Sequence, residues 1–110
     1  MVFNIAISNT DDHLRNHGFL LTTEGWVLSP AYDLNPSTEK NGLSLNIDMD
    51  NNALDFELAR SVGAFFRLDH DRMDEIIREV LGSVSQWERI ADHIGISRTE
   101  KVLMSRAFRV

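Results

Sequence analysis

The chain changes its hydropathy pattern once, near residue 51, and this change constrains the fold more than any other feature. Before that point the apolar runs are short, and glycine, proline and polar clusters separate them. After it, apolar residues recur every three or four positions as far as residue 108. Short runs between turn residues are typical of hairpins and loops, whereas the later spacing is typical of amphipathic helices. The sequence therefore predicts an α+β fold that is mostly α.

The first half of the chain predicts one β-hairpin. Residues 18–21 and 26–28 are apolar, and the four residues between them end in a glycine that allows a tight turn. Residues 30–36 begin and end with proline, which keeps them extended or turn-like. Leucine and isoleucine then alternate with polar residues over 43–47. This alternation predicts a short strand or extended segment.

The second half predicts a bundle of about four helices. The first follows Asn52 as its N-cap, and the second lies between Asp69 as N-cap and Gly82 as the residue that ends it. Ser-x-x-Glu capping boxes at 85–88 and 97–100 predict the starts of the third and fourth helices. We also expect the large aromatic residues to lie in the core: Trp26, Phe65, Phe66, Trp87 and Phe108.

A chain of 110 residues has room for one domain, here residues 1–50 followed by a helical subdomain over residues 51–110. The absence of cysteine excludes a disulfide framework and a thiolate metal site. We find no apolar run long enough for a membrane span and no signal peptide, and we therefore expect a cytoplasmic protein. The net charge of -6 argues against general binding to polyanions.

The densest polar cluster of the chain is Asn9-Thr10-Asp11-Asp12-His13-Leu14-Arg15-Asn16-His17. Asp11 and Asn16 have the spacing of the catalytic Asp and the metal-binding Asn in the kinase loop H-R-D-x-x-x-x-N. A carboxylate can accept the proton of an attacking hydroxyl, and an amide oxygen suits Mg²⁺. A hairpin follows and then Asp33, which is the order in which kinases present a second metal-binding Asp. The simpler alternative is that Asp11 and Asp33 only form turns.

Together with Leu28-Ser29-Pro30-Ala31-Tyr32-Asp33-Leu34, this cluster resembles the catalytic core of the HipA-type serine/threonine kinases. These kinases are the toxins of bacterial toxin–antitoxin pairs, and their pattern is N-x-D-x-H-x-K-N, a strand pair and P-x-Y-D. The resemblance implies a kinase-like C-terminal lobe that uses Mg²⁺ and ATP to phosphorylate Ser or Thr of a protein substrate. It also implies a HipB-like antitoxin, which carries a helix-turn-helix domain, as a partner.

The resemblance also implies a role for each residue of the site. Asp11 would be the catalytic base and His13 would shape the loop, while Arg15 stands where the family commonly has Lys. Asn16 and Asp33 would hold Mg²⁺ and, through it, the nucleotide. The chain has no G-x-G-x-x-G loop and no lysine in a V-A-I-K strand. We therefore expect a truncated kinase, inactive alone, whose newly exposed apolar surface favours self-association.

Residues 86–108 support a different function. Their pattern is that of a helix-turn-helix, and they carry more basic than acidic residues. A recognition helix starting at Arg98 would present Arg98, Thr99 and Lys101 to a DNA groove. The simpler interpretation is a corner between two helices that places four apolar residues in the core: Ile90, Ile94, Val102 and Leu103. The net negative charge of the chain also makes direct DNA binding unexpected. The alternative function is thus a non-catalytic remnant that binds a partner or DNA through this segment.

Overall fold

The computed structural model describes all residues from 1 to 110. Four α-helices follow residue 51, a short one lies at the N-terminus, and a two-stranded hairpin lies between. The fold is therefore α+β and mostly helical, as predicted. The elements in chain order are α1 (Val2–Ala6), β1 (Phe19–Thr22), β2 (Gly25–Leu28), α2 (Phe56–Ser61), α3 (His70–Val84), α4 (Trp87–Ile94) and α5 (Arg98–Met104).

The hairpin forms as predicted. The strands β1 and β2 are antiparallel, with Phe19 opposite Leu28 and Thr22 opposite Gly25. Gly25 has a φ of 114°, which glycine adopts without strain, and the Thr22 hydroxyl donates to the Gly25 carbonyl at 2.9 Å. This turn sets the register and therefore the distance between the polar loop before the hairpin and the segment after it.

The alternation over residues 43–47 predicts a short strand or extended segment, but the backbone bends at Ser44, Leu45 and Ile47 and forms no strand ladder there. A single bridge joins Gly42 to Ala53. Leu43 exchanges bonds with Asn52, whose backbone carbonyl accepts from the Leu43 N–H at 2.9 Å and whose side chain donates to the Leu43 carbonyl at 2.7 Å. Because Asn52 is used in this way, the prediction that it caps the next helix is wrong. The N-cap of α2 is Asp55, which accepts from the Glu57 N–H at 2.8 Å.

The ends of α3 and α4 also differ from two of the predictions. Asp69 caps α3 as predicted and accepts from the Arg72 N–H at 2.8 Å. Gly82, however, lies inside α3, which continues to Val84. The hydroxyl of Ser85 consequently donates back to the Gly82 carbonyl at 2.9 Å, and the N-cap of α4 is Gln86, with no side-chain cap bond. The capping box predicted at residues 85–88 is therefore wrong.

The capping box at residues 97–100 is confirmed. The Glu100 N–H donates to the Ser97 hydroxyl at 3.3 Å, and the Ser97 N–H donates to the Glu100 carboxylate at 3.2 Å. Gly95 ends α4 with a φ of 84°. Backbone freedom at Gly95 therefore sets the end of α4, and the hydrogen bonds of the capping box set the start of α5.

The core is organised around α1, the shortest helix. Ile5 packs in one cluster with residues of the 43–47 segment and α2, and Ala6 and Ile7 pack in a second cluster with Val84 of α3. A five-residue helix is not stable by itself in water, so burial on both sides stabilises it. The polar loop begins directly after this buried helix.

Several residues expected in the core are exposed instead. Trp26 is 70% exposed, Phe65 is 87% exposed and Phe66 is also exposed, so the prediction for these three is wrong. Trp87 and Phe108 are half-buried and stack on each other. Gly95 ends α4 and Ser97 caps α5, as the interpretation of a corner between two helices expected. Its core assignment is wrong, because four apolar residues of these helices are exposed: Ile90, Ile94, Val102 and Leu103.

No helix of the structure combines the length and the apolar composition that a membrane span requires.

Candidate active site

The polar loop, residues 8–17, starts from a fixed base. Ser8, Asn9 and Thr10 are buried. The Asn9 N–H donates to the Asn4 carbonyl at 2.8 Å, its amide donates to the Asn4 side chain at 3.1 Å, and the Thr10 carbonyl accepts from the Ser44 hydroxyl at 2.6 Å. These bonds satisfy buried polar groups that would otherwise be costly. The loop therefore leaves the core at a defined position just before Asp11.

The two adjacent carboxylates of the loop lie in different surroundings. Asp12 is buried, accepts from the Asn4 amide at 2.6 Å and lies 2.9 Å from Nε2 of His17. Asp11 is exposed. A general base must reach the hydroxyl whose proton it takes. An exposed carboxylate such as Asp11 therefore suits that role, and a buried carboxylate that already has two hydrogen-bonding partners does not. Asp12 instead holds the loop in shape.

Asn16 and Asp33 are in direct contact, although the hairpin separates them in sequence. Asn16 ends a 3₁₀ turn over Leu14–Asn16 and is buried. Its amide nitrogen donates to Asp33 Oδ2 at 2.9 Å, and its amide oxygen accepts from the His13 N–H at 3.2 Å. The structure thus brings together the two residues predicted to bind a metal ion.

The donor set of this pair fits Mg²⁺. A carboxylate and an amide supply the hard oxygen ligands that Mg²⁺ prefers, and an amide oxygen that accepts one bond keeps a second lone pair. No group of three or more His, Cys, Asp or Glu side chains gathers anywhere in the structure. Mg²⁺ in nucleotide sites commonly takes one or two protein carboxylates, with phosphate and water as its other ligands. Asp33 would supply the carboxylate, and Asn16 would supply its amide oxygen only with the amide turned over, since its nitrogen faces Asp33 here. A metal that needs an all-protein cage would not fit.

Asp33 adopts an unusual backbone conformation, and its neighbours hold it there. Its φ is 56°, in the left-handed region that Asp tolerates better than most residues. The second oxygen of its carboxylate accepts from the Asn35 amide at 2.7 Å. The adjacent Tyr32 donates its hydroxyl to the Arg15 carbonyl at 2.8 Å. Two consecutive residues after the hairpin therefore bind two consecutive residues of the loop, which fixes the Asp33 carboxylate relative to Asn16.

His13 precedes the 3₁₀ turn and Arg15 is its middle residue. His13 is the N-cap, and its imidazole faces the backbone of Asn16 in a capping-box arrangement, with Nδ1 buried and lacking a well-formed hydrogen bond. The Arg15 side chain is exposed, and its backbone carbonyl accepts a hydrogen bond from the Tyr32 hydroxyl. His13 also contacts Asn16 through its backbone N–H, which donates to the Asn16 amide oxygen.

Sequence reasoning did not identify several residues that hold the site together. Tyr32 is the Tyr of the P-x-Y-D motif but was given no role, and only its closeness to Asp33 in sequence pointed to Asn35. Asn4 and His17 fix Asp12. A loop has no periodicity that separates a buried carboxylate from its exposed neighbour, so the different surroundings of the two aspartates could not be read from the sequence.

The fold and the site define an α+β domain in which a polar loop and the segment after a hairpin bring an amide and a carboxylate into contact. The family model of the HipA-like C-terminal domain matches residues 1–88. The chain therefore belongs to the HipA-like C-terminal domain family, as the sequence motifs implied. The match includes the loop, the hairpin and α1 to α3, while most of α4 and all of α5 lie beyond it. A search of curated proteins and a search of solved structures each returned no match.

Proposed function

We propose that this chain is the catalytic-core part of a HipA-like kinase that transfers phosphate from ATP to a Ser or Thr hydroxyl of a protein. The observation that carries the proposal is the 2.9 Å contact between Asn16 and Asp33. Asn16 precedes the hairpin in sequence and Asp33 follows it. Two further hydrogen bonds, from the Asn35 amide to Asp33 and from the Tyr32 hydroxyl to the Arg15 carbonyl, hold the Asp33 segment in place. A turn former needs no such partners.

In this proposal each residue of the site has one role. Asp11 accepts the proton of the attacking hydroxyl, and Asn16 with Asp33 holds Mg²⁺. The bound ion would neutralise negative charge on the phosphates of ATP. His13 keeps Asn16 in position, and the guanidinium of Arg15 contacts phosphate, where its planar fork can bind two oxygens.

The proposal extends to partners through the family. A HipA-like kinase acts as the toxin of a toxin–antitoxin pair, and a HipB-like antitoxin with a helix-turn-helix domain is the expected partner. The chain contains no Gly-rich phosphate loop and no lysine in a V-A-I-K strand. We therefore expect the isolated chain to bind a divalent cation but to bind ATP weakly and to be inactive alone.

The metal site is tested first, with Mn²⁺ as a paramagnetic substitute for Mg²⁺. Mn²⁺ binding is measured by water-proton relaxation for the wild-type chain and for Asp33→Asn. We expect the dissociation constant to rise about tenfold or more in the variant, because a ligating carboxylate is lost. Asp50→Asn is the matched control, since it removes one exposed carboxylate outside the site and should leave binding unchanged. Equal binding by wild type and Asp33→Asn would contradict the metal assignment.

The catalytic role of Asp11 is tested in a chain that also carries the nucleotide-binding lobe of a HipA-like kinase. Asp11→Asn should lower the rate of phosphate transfer by about 10²- to 10⁴-fold, the usual contribution of a general base. Binding of Mg-ATP should persist, because Asp11 is not assigned to the metal. Failure of the two-lobed wild-type protein to bind nucleotide would refute the kinase proposal.

A second candidate function, binding of a protein partner through residues 86–108, rests on the exposed apolar residues of α4 and α5. Ile90 and Ile94 lie on α4, and Val102 and Leu103 lie on α5, all open to solvent. DNA is the less suitable partner, because Lys101 is engaged with Asp92 and α5 has only seven residues. Sedimentation of the chain alone should show self-association through this surface, and Ile94→Ser should weaken it. DNA binding at low salt, lost as salt rises, would favour the nucleic acid instead.

A further inference from the structure

Ser8 joins the buried helix α1 to the polar loop. It is 3% exposed, and its φ of 51° lies in the left-handed region, which residues other than glycine rarely adopt. Such a conformation persists only where surrounding contacts hold it. The contacts of Ser8 therefore decide the direction in which the chain enters the loop that carries Asp11.

The contacts that hold the Ser8 side chain come from the other end of the molecule. Its hydroxyl donates to the Ala107 carbonyl at 2.7 Å and accepts from Nε of Arg109 at 3.1 Å. The backbone N–H of Arg109 donates to the Ala6 carbonyl at 2.7 Å, and this bond satisfies a carbonyl at the end of α1. Ala107 is fully buried. Residues 107–109, which we call the C-terminal segment, thus bind the base of the loop with three hydrogen bonds.

Ser8 also contacts the segment that carries Asp33. Its carbonyl accepts from the Ser37 N–H at 3.1 Å. Ser37 lies four residues after Asp33. One buried residue therefore bonds to the C-terminal segment through its side chain and to the Asp33 side of the site through its backbone.

We propose that the C-terminal segment positions the polar loop relative to Asp33, with Ser8 and Arg109 as positioning residues. The catalytic meaning of this inference rests on the proposed function, but the structural coupling can be measured without it. The family match ends at residue 88, so this part of the chain is outside the matched domain. Residues beyond the family domain thereby control the geometry of residues inside it.

The polar and apolar contacts of the segment have separable roles. Phe108 packs on the cluster of Ala6, Ile7 and Val84, and this burial favours docking of the segment. Hydrogen bonds depend on direction, so the bond from Ser8 to the Ala107 carbonyl and the bond from Arg109 to Ser8 define where Ser8 lies once the segment is docked. Arg109 is exposed, so its replacement is compatible with folding.

Hydrogen exchange of backbone amides tests the coupling. Arg109→Ala should speed exchange at the amides of Asn9 and Ser37 by about tenfold, because one hydrogen bond to Ser8 is lost. The Ile77 amide in α3 should exchange at the wild-type rate. Arg106→Ala is the matched control, because it removes the same charge from an exposed site two residues before Phe108. Arg109→Lys, which keeps a charged donor, should restore part of the protection.

Two results would overturn the inference. The first is unchanged exchange at Asn9 and Ser37 in Arg109→Ala. The second is faster exchange by the same factor at Ile77, which would mean that Arg109 only supports global stability.

Mn²⁺ binding separates this inference from the proposed function. If the wild-type chain binds Mn²⁺ through Asp33, Arg109→Ala should weaken that binding several-fold and Arg106→Ala should not. Equal affinity in Arg109→Ala and wild type would overturn the positioning role while leaving the metal site in place. If the wild-type chain binds no Mn²⁺, the metal assignment fails, and the exchange rates at Asn9 and Ser37 still decide whether the segment holds the loop.

Discussion

Trp87 stacks on Phe108, with ring centroids 4.4 Å apart and ring planes 12° from parallel. Trp87 begins α4, next to the end of the family match, and Phe108 lies close to the C-terminus. The stack therefore attaches the end of the chain to the junction between α3 and α4. It also holds the residues on either side of Phe108, which contact the base of the polar loop.

Removal of the Phe108 ring should destabilise the fold. Phe108→Ala loses the stack and the packing on the second core cluster, and we expect the free energy of unfolding to fall by about 2–4 kcal/mol. Urea unfolding followed by tryptophan fluorescence and by circular dichroism measures this change. Phe65→Ala is the matched control, because Phe65 is exposed, and it should change the free energy by less than about 0.5 kcal/mol. An equal loss in both variants would contradict the packing of Phe108.

Gly63 and Gly82 should respond in opposite directions to the same substitution. A Cβ at Gly63 would overlap Sδ of Met73, which is buried, so Gly63→Ala should cost about 1–3 kcal/mol. Gly82 lies inside α3 with open space around it, so Gly82→Ala should stabilise the protein by about 0.5–1 kcal/mol. Thermal unfolding of both variants measures the signs.

A second substitution tests the cause of the Gly63 effect. Met73→Ala removes the atom that the new Cβ would meet, so adding Gly63→Ala to that variant should cost less than adding it to wild type. Equal costs in the two backgrounds would mean that the backbone at Gly63, rather than the close approach of Met73, requires glycine.

The two Ser-x-x-Glu sequences should differ in their contribution to stability. Ser97 caps α5, and its bonds to Glu100 hold the pKa of that carboxyl below its usual range. Ser97→Ala should therefore cost about 1 kcal/mol. Ser85→Ala should change the free energy of unfolding by less than about 0.5 kcal/mol, because Ser85 caps no helix start. A similar cost for both variants, measured by urea unfolding, would contradict the start of α4 at Trp87.

The ion pair between Arg60 of α2 and Asp74 of α3 should make stability depend on pH in the acid range. A hydrogen bond from Arg60 holds the pKa of Asp74 below its ordinary value. A lowered pKa means that the pair stabilises the folded state above the ordinary pKa of Asp, and that this contribution is lost as pH falls through the lowered value. Asp74→Asn should therefore be less stable than wild type at neutral pH and nearly equal to it in strong acid.

The Asp74 effect has a direct control in its partner. In an Arg60→Gln background, Asp74→Asn should change stability by an amount that hardly varies with pH, because the charge that lowers the pKa is absent. Urea unfolding at a series of pH values compares the two backgrounds. A pH dependence that persists without Arg60 would assign the effect to another charge near Asp74.

Where the structure follows a local signal, the sequence predicted it well. The hairpin turn at Gly25, the Asp69 cap and the box of Ser97 and Glu100 each depend on residues within a few positions of one another. The sequence motifs also implied the HipA-like family, which the family match confirms. The assignment of Asp11, Asn16 and Asp33 as a kinase site stays a prediction. Backbone preference and capping act over short distances, so they can be read without knowledge of the fold.

The wrong predictions of helix ends share one physical cause, which is competition from another contact. Asn52 bonds to Leu43 and so leaves the helix cap to Asp55, and Ser85 bonds to Gly82 because α3 continues past that glycine. Trp26 is as apolar as any core residue, yet no element packs over the hairpin and it stays exposed. Composition gives the tendency of a side chain to be buried, but the packing of the elements decides which tendencies are satisfied.

By itself, the amino-acid sequence determined the class of fold, several helix and turn signals and the residue types present at the candidate site. The tertiary structure alone decided that Asp12 is buried beside exposed Asp11, that Tyr32 binds the Arg15 carbonyl, and that Arg109 reaches Ser8 from the opposite end of the chain. Contacts of this kind join residues far apart in sequence, so no local pattern encodes them. They form only when the buried faces of α1, α3 and the segment of residues 43–47 pack together and bring those residues within hydrogen-bonding distance.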